Sequence, residues 1–226
     1  MTTLKERIDR ALTGTDDKES VGKYLDVIRS NLRDCTAMFD RRVQTLIIAI
    51  IGLELIAQAA VSEVSFAGIK LSDLNLVQKL LPCVIAYLYY SLATVISYRR
   101  LLEEVHDRVT GHLFPAFLAN NLEFYGHPPT VFHLEKIIAS DVGGRFGSFL
   151  DGLTTPLKLV LGLGPAVYVA YAECRLFALF GAKDLLVWIS FVVTLLLVVH
   201  VFLQMVGVNR VTSNERGSSD GNRPSA

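Results

Sequence analysis

The chain has 226 residues, of which 51% are hydrophobic and 19% charged, against roughly a quarter charged in a soluble globular domain; its mean hydropathy is +0.41. The 22 basic and 22 acidic residues cancel to zero net charge, and no basic stripe interleaved with aromatics occurs, which argues against a nucleic-acid partner. The cysteines, Cys35, Cys83 and Cys174, lie far apart with no CxxC pair, which leaves neither a disulfide framework nor a thiolate metal cluster.

Residues 1–42 are charged and amphipathic, and they are expected on the cytoplasmic side. Leu4, Ile8 and Leu12 recur at i, i+4 spacing on a first short helix. Thr13-Gly14-Thr15-Asp16-Asp17 breaks it, and a second helix is predicted to begin near Ser20. There Leu25, Ile28, Leu32, Cys35 and Phe39 form a heptad-like seam of coiled-coil type, flanked by Lys23, Asp26, Arg29, Arg33, Asp34 and Asp40. Nothing interrupts the pattern before the first apolar span at 43–61, so residues 20–60 read as nearly continuous helix, about 60 Å long. The alternative is an interfacial helix that bends at Arg41-Arg42. No compact apolar run with a cleavage site precedes it, so the first span itself is expected to direct insertion.

Residues 62–78 read as a short connection, and a second span covers 80–98, giving a hairpin over 43–98. Pro82 sits near its entry, where a missing N–H costs little. Beyond Arg99-Arg100, Leu101, Leu102, Val105 and Val109 continue an apolar stripe beside Glu103, Glu104, Asp107 and Arg108. Neither charged extension can bury its stripe alone, so the two are expected to pair as an antiparallel stem. The segment 99–155 otherwise holds an apolar stretch at 112–124, a breaker at Tyr125-Gly126-His127-Pro128-Pro129, a short helix candidate at 131–140 and a turn at Gly143-Gly144-Arg145-Phe146-Gly147. That glycine cluster lacks the GKS/T order and the preceding strand of a phosphate loop.

A third span is predicted over 156–172, with an extension to Phe180 as the alternative end, and Gly181-Ala182-Lys183-Asp184 turns into the fourth. Residues 185–208 contain no Asp, Glu, Lys or Arg; at 1.5 Å per residue they reach about 36 Å, enough to cross a hydrocarbon core. Residues 156–208 thus form a second membrane hairpin, and 209–226 read as a disordered cytoplasmic tail. With the N-terminus inside, four spans return the C-terminus inside. Of the 22 Lys and Arg, 18 then fall on the inner side and four, Lys70, Lys79, Arg175 and Lys183, on the outer. The fold class is accordingly an all-α integral membrane protein with four transmembrane helices, cytoplasmic helical extensions of the first two, and N-in/C-in topology. It is read as a multi-pass protein of a prokaryotic cytoplasmic (inner) membrane.

Chemistry-bearing groups inside the spans are few. Glu54 is placed near the middle of the first span, where an ionised carboxylate is expensive and faces a partner, a bundle interior or water. Gln44, Ile47, Ile51, Glu54 and Gln58 share its stripe, which reads either as pore-lining or as a polar residue that fixes helix association. Glu173 and Arg175, toward the outer end of the third span, are two apart and do not face the same way. Arg175 either snorkels outward or turns inward to neutralise Glu54 or Glu173. His200, in the fourth span, is a satisfied core histidine or a proton relay. Gly162, Ala166 and Ala170 make a small-xxx-small stripe for close helix approach, and Pro165 beside it is expected to kink the helix. Tyr87, Tyr89, Tyr90, Tyr98, Tyr168 and Tyr171 bring hydroxyls that need partners, Glu54 among them.

His106, His112, His127 and His133 fall among Glu103, Glu104, Asp107, Glu123 and Glu135, but no HExxH or repeated ExxH accompanies them. No nucleophile elbow is present. No catalytic residue, metal or cofactor is assigned. Three functions remain: an oligomeric channel or pore-forming protein controlled through its cytoplasmic helices; a nonconducting scaffold or accessory subunit; and a lipid-modifying enzyme using the 103–151 segment. Expected partners are membrane lipid, further copies of the chain, and a cytoplasmic protein bound through residues 20–40 and 101–125.

Overall fold

The computed structural model describes residues 4–14, 17–58, 64–66, 69–71, 74–116 and 144–213. They form five helices, α1 (Leu4–Thr13), α2 (Lys18–Ala57), α3 (Leu74–Leu113), α4 (Gly144–Phe180) and α5 (Leu185–Ser213), with a two-stranded hairpin, β1 (Val64–Phe66) and β2 (Ile69–Leu71), between α2 and α3. By its internal contacts the chain divides into two units: residues 1–38, 95–155 and 204–226 make one, and 39–94 with 156–203 the other.

In the first unit, the stem, α2 opens on an aspartate cap. The Asp17 carboxylate accepts the Glu19 N–H at 3.0 Å and the Ser20 hydroxyl, and its carbonyl takes the Val21 N–H at 3.2 Å. An acidic cap satisfies N–H groups that have no intrahelical partner, so the helix starts at Lys18 rather than Ser20. The expected seam is buried: Leu25, Ile28, Leu32 and Cys35 are no more than 2% exposed, while Phe39 is only half-buried. Val21, Leu25, Ile28 and Leu32 pack with Val109, and Leu12, Leu102, Val105 and Leu113 close around them. The start of α2 thus meets the end of α3, an antiparallel pair onto which α1 folds. Fully burying each of these aliphatic side chains contributes about 1.5–3 kcal/mol. Charge pairs flank it: Lys23–Glu19 at 2.7 Å is exposed, whereas Arg99–Glu103 at 2.8 Å and Arg108–Glu104 at 2.9 Å are part-buried, with Arg108 also 3.9 Å from Asp9 of α1. An exposed i, i+4 pair such as Lys23–Glu19 is worth little individually.

The second unit is built from apolar helix segments that do not hide their side chains. Three helices are long and apolar enough to cross a membrane, Asn75–Leu113, Gly162–Phe180 and Leu185–Asn209, with only 44%, 33% and 22% of their most apolar stretches buried. Ile48, Val167, Leu185, Leu196 and Leu203 are each at least 64% exposed. So much outward aliphatic surface has no place in water. The chain is an integral, multi-pass membrane protein.

Four local features differ from the sequence expectation. The 62–78 connection contains a hairpin, pairing Val64 with Leu71, Ser65 with Lys70 and Phe66 with Ile69. Residues 144–147 are not a turn but the first turn of α4, which also runs through Pro156 and Pro165. The last helix continues past Val208 to Ser213. Pro82 lies inside α3 and is fully buried: the helix begins at Leu74, so the proline comes two turns in and removes the donor that would bond the Gln78 carbonyl. The histidine-bearing segment 117–143 and residues 214–226 lie outside the described residues, and with them the expected breaker, the 131–140 helix, His127, His133 and most of the tail.

Candidate functional site: polar groups of the membrane unit

Two carboxylates anchor the polar chemistry of this unit. Glu54 lies one turn from Ala57, the last residue of α2; residues 59–61 of the expected first span lie outside the described residues. Its Oε1 accepts the Tyr168 hydroxyl of α4 at 2.8 Å, and its Oε2 stands 3.5 Å from Arg175 Nη1. Arg175 Nη2 also donates to the Ala57 carbonyl at 3.2 Å. A guanidinium at a helix C-terminus bonds an orphan carbonyl and opposes the negative end of the dipole, so Arg175 both caps α2 and faces Glu54. The inward reading of Arg175 is therefore the one realised, with Glu54 rather than Glu173 as its partner. The pair remains open to the outside, with side-chain exposures of 31% for Arg175 and 36% for Glu54. Gln44 on the same helix and Gln58, the residue after its end, are exposed as well.

Glu173 is different. It is 2% exposed, turned toward α5, where its Oε1 accepts the Ser190 hydroxyl and the Thr194 hydroxyl at 2.9 Å each. Ser190 and Thr194 are four apart, so one face of α5 delivers both donors to one oxygen. Cys83 of α3 completes the wall: its thiol lies 3.3 Å from both the carbonyl and the hydroxyl of Ser190, and 3.8 Å from the Thr194 hydroxyl. The other carboxylate oxygen, Oε2, is buried with no hydrogen-bond partner among the described residues. Ser190, Thr194 and Cys83 are functional candidates that sequence reasoning passed over. Their signal was a serine and a threonine at i, i+4 in an otherwise apolar run that follows a glutamate-bearing helix.

A third cluster closes the α4–α5 turn. Gly181, at φ +78°, sits in the left-handed region and returns its N–H to the Phe177 carbonyl at 3.0 Å, the geometry that glycine enters without a Cβ clash. Asp184 then caps α5 through the Leu186 N–H at 2.9 Å and is paired with Lys79 of α3, whose ammonium also lies 4.4 Å over the Phe180 ring. The Lys79 hydrogen bond, with help from the cap, holds the Asp184 carboxyl below the usual carboxylate range. The Trp188 indole donates to the Ala182 carbonyl at 2.8 Å.

Of the remaining candidates, His200 is exposed and meets the edge of Tyr90, with ring centroids 5.3 Å apart. Tyr89 is buried and its hydroxyl donates to the Gly162 carbonyl, three residues before buried Pro165, whose missing N–H leaves the Leu161 carbonyl without its intrahelical donor. A Cβ at Gly162 would meet nothing within 4 Å among the described residues, Ala166 is half-buried and Ala170 exposed. Tyr168 is the tyrosine that reaches Glu54. In the stem, His106 is fully buried with Nδ1 3.3 Å from Asp107, His112 is exposed, and among the described residues no three His, Cys, Asp or Glu side chains are grouped to hold a metal. Comparison with protein-family models, with curated proteins and with solved structures finds no match to this chain.

Proposed function

We propose that the protein is an oligomeric channel or pore-forming protein of a prokaryotic cytoplasmic membrane, crossing it four times with both termini inside and controlled through its stem. The observation that carries this reading is the outward polar face of α2. Glu54 keeps a third of its side chain exposed beside an arginine about as exposed, and Gln44 on the helix and Gln58 just past its end lie exposed. Facing hydrocarbon, such groups are expensive; facing a second copy or a water-filled path, they are satisfied. The Gly162, Ala166 and Ala170 stripe supplies a further surface for close approach between copies. Four packed spans enclose little free volume, so conduction belongs between subunits. The fourth crossing is assigned to α2, whose apolar part runs from Val43 to the end of the helix at Ala57. The test is ion flux through liposomes containing the wild type and its Glu54→Gln and Glu54→Ala forms. Flux from the wild type, changed in rate or pH response by both substitutions, is expected. Folded wild type that passes no ions over a range of pH and voltage overturns the channel.

A second reading, a nonconducting scaffold or accessory subunit, has its own observation. The stem carries a pocket of about 430 Å³ where α1 meets α2 and α3, lined by Leu4, Ile8, Ala11, Leu12, Val21, Val105 and Val109 with Arg7, Ser20 and Tyr24. An apolar recess of this size suits a side chain or helix end of a cytoplasmic protein.

A further inference from the structure

We propose that Glu173, with Ser190 and Thr194, is a binding site for a small monovalent cation, a proton or a sodium ion, held at the Oε2 side of the carboxylate. Two observations meet here. Glu173 is 2% exposed, and Oε2 is buried with no hydrogen-bond partner among the described residues, whereas the Ser190 and Thr194 hydroxyls both converge on Oε1 at 2.9 Å. A carboxylate in a water-excluded bundle needs a positive charge or a proton, because two hydroxyl dipoles on one oxygen do not neutralise it. The nearby basic side chains are occupied elsewhere: Arg175 is turned to Glu54 and the Ala57 carbonyl, and Lys79 to Asp184. The titratable group that the contacts bring to the same wall is Cys83, whose thiol lies against Ser190 and Thr194. A cation at Oε2 therefore supplies what the described residues do not.

The donor set fixes the class of ion. Carboxylate and hydroxyl oxygens are hard ligands, which suit alkali and other hard cations over soft metals. A single carboxylate balances a single charge, while calcium and magnesium sites recruit several anionic or carbonyl oxygens. When the proton leaves, the two hydroxyls remain as donors to the anion; when sodium enters, the same hydroxyls can rotate and offer lone pairs. The site stands whether or not the protein conducts, since it rests on Glu173 and not on the outer face of α2.

The test is carbodiimide labelling of the full-length protein in liposomes. Dicyclohexylcarbodiimide partitions into bilayers and converts a protonated buried carboxyl to a stable N-acylurea, located by mass spectrometry of the peptide that contains Glu173. In choline chloride the adduct is expected on Glu173 at acid pH, falling about tenfold per pH unit once the acid form is the minor one, and absent in Glu173→Gln. Replacing choline by sodium at constant pH separates the two cations: slower labelling identifies sodium as a ligand, and unchanged labelling with the pH dependence intact identifies the proton alone. Thr194→Val, which keeps the shape and removes one hydroxyl, is expected to abolish sodium protection or shift the pH profile. Glu173 unlabelled at every pH, or labelled at a rate indifferent to both pH and sodium, overturns the proposal. Wild type that labels as expected but carries no flux retains this site and loses the pore.

Discussion

Arg175 holds two obligations at once, and its removal separates them. Arg175→Ala leaves the Ala57 carbonyl uncapped and Glu54 without its charge partner. A fully buried broken pair costs about 3–5 kcal/mol; with both side chains about a third exposed, solvent screening lowers the expected loss to about 1–2 kcal/mol. Glu54→Gln keeps an acceptor for Tyr168 and costs less, so the Glu54→Gln, Arg175→Ala double variant is expected to lose less than the sum of the single losses. Thermal unfolding in detergent checks this cycle. The Asp184–Lys79 pair has a pH signature. Because the folded carboxyl titrates below its ordinary value, it contributes stability above about pH 4, and that contribution is lost as pH falls through the lower folded value. Unfolding temperature is expected to drop on acidification below pH 4 in the wild type, and Lys79→Met is expected to lose that part of the drop. Cys35 behaves in the opposite sense: burial pushes its thiol up, and with 1% exposure it is expected to resist a charged maleimide until the stem unfolds.

At the scale of the element, the ends of helices are set by single residues. Asp17→Ala removes the side chain that caps α2 and is expected to cost about 1 kcal/mol. Gly181→Ala places a Cβ in the left-handed region at φ +78°, at a cost of about 1–2 kcal/mol. Within the stem, Leu32 is 0% exposed, and Leu32→Ala is expected to cost about 2–5 kcal/mol; loss of helical signal together with earlier cysteine labelling reports it. Helix register was legible from periodicity: Leu25, Ile28, Leu32 and Cys35 are buried as their 3/4 spacing requires, and Val109 meets them. Helix ends were less legible. The hairpin at 64–71 carried a cue in Val64, Phe66, Ile69 and Leu71 alternating with Ser65 and Lys70 around Ala67-Gly68, but a turn between two membrane helices is commonly irregular. Gly144 and Gly147 read as a turn by composition, yet α4 begins there because a glycine costs a helix only about 1 kcal/mol against alanine.

For the whole molecule, the sequence marked Glu54, Glu173 and Arg175 because charge is rare in apolar runs, and the fold joins two of them. It did not mark Ser190 and Thr194, since a hydroxyl in a membrane helix ordinarily bonds its own backbone four residues back. Only the approach of α4 to α5 turns those hydroxyls into donors for Glu173. Pairing across helices is a three-dimensional fact that no single-helix pattern contains. The outward polar face of α2 is the other product of assembly, and it makes self-association the central requirement of the proposed function. The most direct measurement is the subunit count by native mass spectrometry of protein released from nanodiscs. More than one copy per particle is expected, with the count reduced when Gln44, Glu54 and Gln58 are replaced together by leucine; a wild type that is strictly monomeric at every protein-to-lipid ratio contradicts the account.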